Sequence, residues 1–178
     1  MKTMISIVGF CLLLTGCSSM KPQDFAKTEP KLDLFDYFDG KTEAWGLFED
    51  RFGTVRRQFK VDITGTIEGD RLTLDEDFIY MDGEKDKRVW HIKQLSDGRY
   101  EGKAADVIGT AKGISAGNAL NWSYDMALKV GETTYQVHFD DWMFLQDGNV
   151  LINRATVTKW GFEVGEVSLF FKKPEGAF

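Results

Sequence analysis

The sequence predicts an all-β domain in which an antiparallel meander of about nine or ten strands closes into a barrel. Apolar and polar residues alternate with a period of two along much of the chain, as they do in half-buried strands. Hairpin turn signals recur roughly every dozen residues, and long stretches with helical apolar spacing are missing. Closure into a barrel removes unpaired sheet edges, and a two-sheet sandwich is the competing architecture.

The individual strands follow from the alternating segments and the turns between them. Helical spacing is confined to a short fragment at the start of the domain, Leu34, Phe35 and Phe38. The clearest alternating segments are Phe59, Val61, Ile63; Leu120, Trp122, Tyr124, Met126, Leu128; Tyr135, Val137, Phe139; and Val167, Leu169, Phe171. The turn signals are Glu68-Gly69-Asp70, Asp82-Gly83-Glu84, Ser96-Asp97-Gly98, Gly117-Asn118, Gly131-Glu132 and Asp147-Gly148-Asn149.

Small residues are concentrated in one segment, residues 107–114, which contains Gly109 and Gly113. In the wall of a barrel, small residues leave interior room, either for large side chains or for one small ligand. Glycine in a strand also permits a sharp bend at a barrel corner. Both interpretations fit this segment, and the corner is favoured.

The N-terminus has the layout of a secretory signal. Lys2 precedes an apolar stretch, residues 5–14, which ends in Leu14-Thr15-Gly16-Cys17. This tetrapeptide resembles the bacterial lipobox, whose cysteine is acylated and becomes the first residue of the mature chain. The resemblance implies a signal peptide over residues 1–16 and lipidation of Cys17, with an ordinary secreted protein as the alternative. The apolar stretch is too short for a transmembrane helix, which needs about 17–25 residues.

A tether and one domain follow the lipidated cysteine. Residues 17–31 hold two of the three prolines and little apolar periodicity, which predicts a flexible tether, and residues 32–178 form the barrel domain. Ser18 stands where lipoproteins kept at the inner membrane typically carry aspartate. The resemblance therefore implies the periplasmic face of the outer membrane, with the acyl anchor as the contact with the membrane.

The mature chain is predicted to be acidic and to carry no free thiol. Cleavage removes Lys2 alone among the charged residues, which lowers the 22 lysines and arginines to 21 against 28 acidic residues. The excess of negative charge disfavours nucleic acid as a partner. Cys11 leaves with the signal peptide and acylation consumes Cys17, so cysteine chemistry is excluded. The sequence predicts no cofactor and no metal.

Asp141 and Arg154 form the first candidate constellation. They flank the turn signal at residues 147–149, and pairing about that turn brings together positions whose numbers sum to about 296. Asp141 is then expected near residues 153–155. A bidentate Asp–Arg pair inside the barrel would hold a ligand head group or brace the structure. Asp140 and Asp141 are adjacent and point to opposite faces, so they do not form an acid–base pair.

A second acidic run is Asp75-Glu76-Asp77, in a predicted strand. Alternation places the two aspartates on one face of the strand and Glu76 on the other. We interpret the run as a solvated face that Arg56 and Arg57 neutralise, because the loop pattern of calcium sites is missing.

Tryptophans are the candidates for an apolar pocket. Trp90, Trp122 and Trp142 alternate with polar neighbours, and aromatic side chains commonly line ligand pockets. His91 and His138 lack the spacing of metal-binding motifs. No residue is assigned as catalytic.

Six sequence segments resemble those of a domain-of-unknown-function family of Gram-negative lipoproteins. They are Phe38-Asp39-Gly40 with Ala44-Trp45-Gly46; Leu74-Asp75-Glu76-Asp77-Phe78; Arg88-Val89-Trp90; Gly117-Asn118-Ala119-Leu120-Asn121; Phe139-Asp140-Asp141-Trp142-Met143; and Ile152-Asn153-Arg154-Ala155. The likeness covers residues 34–172 and implies an envelope lipoprotein with a lipocalin-like (calycin-type) barrel and no assigned substrate. Trp45 is similar to the early tryptophan of lipocalins, although Glu43 stands where their Gly-x-Trp pattern has glycine.

These features predict an outer-membrane lipoprotein whose barrel binds a lipid or another apolar small molecule in envelope lipid handling. The candidate ligand-binding residues are Trp45, Trp90, Trp122, Asp141, Trp142 and Arg154. A protein that docks on another envelope component through a sheet face is the alternative. A lipid-modifying enzyme is the third hypothesis, with Asp140 or Asp141 acting beside Arg154 or His138. An interior packed solid by side chains would contradict the first hypothesis.

Overall fold

A closed antiparallel barrel accounts for nearly all of the structure, a computed structural model that describes residues 19–96 and 98–174. The all-β prediction is confirmed. Within these residues there are ten strands: β1 (Gly40–Asp50), β2 (Val55–Glu68), β3 (Arg71–Tyr80), β4 (Lys85–Gln94), β5 (Arg99–Lys103), β6 (Val107–Ala116), β7 (Ala119–Val130), β8 (Thr133–Leu145), β9 (Val150–Lys159) and β10 (Phe162–Lys172). The helices are α1 (Leu34–Phe38) and two 3₁₀ turns, Pro22–Phe25 and Asp147–Asn149. No helix in the described part of the chain is long and apolar enough to cross a membrane.

The barrel is a simple meander in which each strand pairs with its neighbours in sequence. β1 closes it by pairing with both β2 and β10, and its register with β10 runs from Glu43 opposite Lys172 to Asp50 opposite Gly165. The turn at residues 147–149 places Asp141 opposite Ala155, in the predicted register. Every strand therefore has two neighbours, and one face of each strand points into the barrel.

Helix α1 plugs one end of the barrel. It begins at an Asp33 cap, whose Oδ1 accepts hydrogen bonds from the backbone amides of Phe35 (2.9 Å) and Asp36 (3.2 Å). Phe35 stacks on Tyr100 of β5, and Phe38 packs edge-on against Phe171 of β10. These partners all lie at the end of the barrel where β1 begins, which we call the closed end. The opposite end, formed by the turns at 51–54, 81–84, 104–106, 131–132 and 160–161, is the mouth.

The N-terminal segment also lies at the closed end. Residues 22–31, which the sequence assigns to the tether, contact the outside of the barrel. The Thr28 hydroxyl lies 2.6 Å from Asn118 Oδ1, and the Leu32 amide donates to the carbonyl of Gly117 at 2.8 Å. Phe25 packs against Phe144, with ring centroids 5.2 Å apart. The chain thus reaches the domain at its closed end.

The two glycines of β6 serve the two purposes that the sequence suggested. Gly109 has φ +79° and lies where the register between β6 and β7 shifts, which is a corner in the wall. Gly113 faces inward, where a Cβ atom would overlap the indole ring of Trp122. Gly102 of β5 makes room for the same ring. The small residues therefore bend one strand and accommodate one large interior side chain.

Replacement of Gly65 tests how closely helix α1 packs against β2. A Cβ atom at Gly65 would overlap the carbonyl oxygen of Phe38 in α1. Because that atom belongs to the backbone, the plug must shift, and we expect Gly65→Ala to lower the free energy of unfolding by about 1–3 kcal/mol. Urea denaturation measures the change, with Thr66→Ala on the exposed face of the same strand as the control. Equal stability of the two variants would show that α1 is not held against β2.

Candidate ligand-binding cavity

The barrel interior is an open cavity of about 1090 Å³. It extends from the plug, where Leu34 and Phe38 line it, to the mouth, where Arg57 and Lys129 line it. Most of the side chains between these limits are apolar. Ligand pockets in proteins usually measure about 300–1000 Å³. The cavity is therefore large enough for a long-chain amphiphile, and the interior is not packed solid.

An aromatic wall lines one side of the cavity. Trp90 of β4 packs edge-on against Trp122 and Tyr124 of β7, with ring centroids 5.7 and 5.3 Å apart. Tyr124 in turn stacks on Phe139 of β8 at 5.1 Å and an interplanar angle of 3°. Offset and edge-on aromatic pairs of this kind hold one another in fixed orientations. The wall is thus a rigid apolar surface that a ligand can contact.

Asp141 brings a carboxyl group into this apolar interior. It is only 6% exposed, and its Oδ1 accepts a hydrogen bond from Asn153 Nδ2 at 3.4 Å. The hydroxyl of Tyr124 is a second hydrogen-bond partner. Burial raises the pKa of Asp141 from 3.8 to about 7, and the hydrogen bonds from Asn153 and Tyr124 oppose that rise. Asp141 therefore exchanges its proton near neutral pH.

Glu76 is a second interior carboxyl group, on β3. It is half-buried and lines the cavity. No hydrogen bond or ion pair is formed by its carboxylate within the described residues. Burial raises the pKa of Glu76 from 4.5 to about 7, although the charge of Arg88 opposes the rise. Its oxygen atoms are thus available to a ligand.

Arg88, the register partner of Glu76, directs its guanidinium elsewhere. Its Nε and Nη2 donate to Asp106 Oδ2 at 3.0 and 2.7 Å. This ion pair spans a stretch of the wall where β4 has no hydrogen-bonded partner on this side, because β5 is short and pairs with β4 only over residues 91–94. A side cleft of about 660 Å³ lies there and shares Arg88 with the main cavity. The Arg88–Asp106 pair thus closes the gap between β4 and the β5–β6 loop.

The structure brings together only part of the predicted binding set. Trp90, Trp122 and Asp141 line the cavity. Trp45 points outward from β1 and is 46% exposed. Trp142 and Arg154 also lie outside the cavity.

The expected pair between Asp141 and Arg154 is not formed. The Arg154 side chain is 69% exposed and donates from Nε to Glu166 at 2.7 Å. Trp142 stacks on Phe144 on the outer wall, where Phe25 packs against both rings. Since Asp141 points inward, its neighbour in the strand must point outward. Cys17, the predicted lipidation site, lies outside the described residues.

The second acidic run divides as alternation predicts. Asp75 and Asp77 face solvent, and both lie within ion-pair distance of Lys87, at 2.6 and 3.4 Å. The expected partners Arg56 and Arg57 instead pair with other carboxylates, Arg56 with Asp50 at 2.6 Å. The interpretation of the run as a solvated face therefore holds for its two aspartates and not for Glu76.

The outer face of the barrel carries a hydrogen-bonded chain of Ser123, His138 and Asp125. His138 Nε2 lies 3.3 Å from Ser123 Oγ, and its Nδ1 lies 2.8 Å from Asp125 Oδ1. The order of groups is that of a hydrolase triad. However, neither the main cavity nor the side cleft is lined by any of the three residues. The three residues thus lie apart from both cavities, and we assign them no catalytic role.

A family model for proteins of unknown function, DUF3833, matches residues 11–173. The chain belongs to the DUF3833 family. A search of curated proteins finds no match. The resemblance to a family of unknown function is therefore confirmed, and the function of this DUF3833 barrel must be inferred from its cavity.

Four polar residues of the DUF3833 cavity were missed in the sequence: Glu76, Arg88, Tyr124 and Asn153. A signal was present for three of them. Glu76 alternates with Leu74 and Phe78, which share its face of the strand. Arg88 similarly shares a face with Trp90, and Tyr124 shares one with Trp122. Glu76 and Tyr124 have large apolar residues two positions away on both sides, which predicts interior polar groups, whereas Arg88 has such a neighbour on one side only. In the described part of the chain, no group of three or more acidic, histidine or cysteine side chains is placed to hold a metal ion.

Proposed function

We propose that this protein is an outer-membrane lipoprotein whose barrel binds a lipid or a similar amphiphile in envelope lipid handling. The observation that carries the proposal is the cavity of about 1090 Å³, which has apolar walls and a buried polar cluster. The aromatic wall offers contact to an acyl or isoprenoid chain. Asp141 and Glu76 offer hydrogen bonds to its polar end. A purely structural interior would fill such a volume with side chains, because protein cores are close-packed.

The position of the N-terminus supports a particular orientation on the membrane. Four residues separate the proposed acylation site, Cys17, from the turn that begins at Pro22, and the five steps from Cys17 to Pro22 span at most roughly 18 Å. Strands of about 11 residues tilted by about 40° make the barrel roughly 27 Å tall. An acyl anchor would therefore hold the closed end near the bilayer and direct the mouth away from it. Ligand exchange at the mouth would then occur on the periplasmic side.

Native mass spectrometry of residues 18–178, secreted from a cleavable signal and purified without detergent, tests the binding proposal. All strands and the plug lie within this fragment. We expect a stoichiometric amphiphile, which organic extraction would identify. A mass without ligand, both as purified and after incubation with envelope lipids, would contradict the proposal.

Docking on another envelope component is the alternative function. Large apolar side chains project from the turns around the mouth, among them Phe52 (77% exposed), Met81 (79%) and Trp160 (86%). Exposed apolar clusters of this kind often mark interaction surfaces. A barrel that never carries a ligand, but that binds a protein through this end, would favour the alternative.

Acylation of Cys17 is tested by metabolic labelling with a radioactive fatty acid. We expect the full-length protein to incorporate label and to fractionate with the outer membrane, because several acyl chains on one residue anchor a protein stably. Cys17→Ser should remove both properties. Cys11→Ser is the matched control and should retain both, since the signal peptide is removed. Label in Cys17→Ser, or none in the wild type, would rule out Cys17 as the lipidation site.

A further inference from the structure

The two interior carboxyl groups project from opposite walls of the barrel. Glu76 is on β3 and Asp141 is on β8, and these strands are five apart in a ring of ten. Both side chains line the same cavity, and the charge of Asp141 acts on Glu76. The two carboxyl groups therefore influence each other across the cavity.

Three donor side chains near the two carboxyl groups already have acceptors. Arg88 binds Asp106, and Asn153 and Tyr124 donate to Asp141. The Glu76 carboxylate, by contrast, forms no hydrogen bond within the described residues. The oxygen atoms of Glu76 therefore remain as free acceptors, which a ligand complements by supplying hydrogen-bond donors.

The charges around Glu76 also favour a ligand without negative charge. Its neighbours are Arg88 on β4, Asp106 in the β5–β6 loop, Asp141 on β8 and Asp75 on its own strand. Since Asp106 neutralises Arg88, ionisation of Glu76 and Asp141 gives this part of the cavity a net negative charge. Burial is the larger cause of the raised pKa values of Glu76 and Asp141, and the neighbouring acidic charges add to the rise. A cationic group between the two carboxylates would offset their negative charge, whereas an anionic one would add to it.

We propose, on the basis of the lipid-binding function above, that the ligand has a hydrogen-bond-donating polar end without negative charge, a primary ammonium group fitting best. This end lies between Glu76 and Asp141, and the chain extends along the aromatic wall. Fatty acids and other anionic amphiphiles are disfavoured at this site. As the pH rises from 6 to 8, an ammonium ligand binds more tightly because protons compete less for the two carboxylates.

Three dodecyl compounds with matched chains test the proposal: dodecylammonium, dodecanol and dodecanoate, titrated below micelle formation into the soluble protein at pH 8. We expect dodecylammonium to bind at least about 10-fold more tightly than dodecanoate, as expected for a partly buried charge pair, with dodecanol between them. Glu76→Gln should reduce this ratio several-fold, and Asp141→Asn is an independent second variant. Asp77→Asn, on the outer face of β3, is the matched control and should leave the ratio unchanged.

The outcomes separate this inference from the function on which it rests. If dodecanol binds but dodecanoate binds as tightly as dodecylammonium, the cavity takes amphiphiles and the assignment of the polar end is overturned. If Glu76→Gln and Asp141→Asn both leave the ratio at its wild-type value, the polar end lies elsewhere and the assignment is again overturned. If none of the three compounds binds, both the function and the inference fail.

Discussion

Replacement of Ala155 by tryptophan is expected to weaken dodecanol binding by roughly 30-fold or more, because a new bulky side chain excludes the ligand from its own volume. Ala155 is 1% exposed and lies opposite Asp141 in the register of β8 and β9. An indole at this position would project beside the polar cluster. The cavity has room for one such ring, so the variant should still fold.

Arg154→Trp is the matched control for this substitution. It introduces the same side chain one residue away, on the outer face of the same strand, and should leave binding unchanged. Isothermal titration measures both affinities, and a thermal melt confirms that each variant is folded. Unchanged binding by folded Ala155→Trp would show that the ligand does not enter the barrel.

Stability is expected to fall as the pH rises from 5 to 8. Burial raises the pKa of both Glu76 and Asp141 to about 7, from 4.5 and 3.8 respectively. The folded protein therefore holds these two protons more tightly than the unfolded chain does. Their contribution to stability is complete below the unfolded pKa values and is lost as the pH rises through about 7. At about 1.4 kcal/mol per pKa unit, the full loss is roughly 3–4 kcal/mol for each carboxyl group and is larger for Asp141.

Glu76→Gln should remove the loss of stability that ionisation of Glu76 causes, because an amide does not ionise. We expect its free energy of unfolding to exceed that of the wild type at pH 8 by about 2–3 kcal/mol, and the difference to shrink toward pH 5. Urea denaturation at several pH values measures both curves, with Asp77→Asn as the exterior control. Parallel curves for the wild type and Glu76→Gln would mean that Glu76 is ionised in the folded protein at all of these pH values.

Much of the arrangement of β8 and β9 could be predicted from the alternation of apolar and polar residues alone. The turn at residues 147–149 predicted the pairing of β8 with β9, and Asp141 does lie opposite Ala155. The same reasoning, carried one step further, excludes Arg154 and Trp142 from the interior once Asp141 is placed there. The predicted ligand-binding residues come from both faces of the strands, because the chemistry of a side chain does not indicate which face it occupies.

Other features depend on contacts between residues far apart in sequence. Trp45 fits an interior strand pattern as well as an exterior one, and pairing on both sides of β1 decides that it faces outward. Arg88 is the register neighbour of Glu76, yet it binds Asp106, because the short β5 brings that loop across the gap in the wall. The contact of residues 22–31 with the barrel likewise needs the outer surface that β8 and the β6–β7 turn provide.

The sequence by itself determined the class of fold, the strands and turns of the barrel, and membership in a family, because each depends on local periodicity or on the order of residues. Only the tertiary structure decided that the barrel is open inside and that Glu76 and Asp141 face each other across it. An empty interior depends on how side chains from all ten strands share one volume. The pKa of a carboxyl group depends on what surrounds it in space, and neither quantity is local to any segment of the chain.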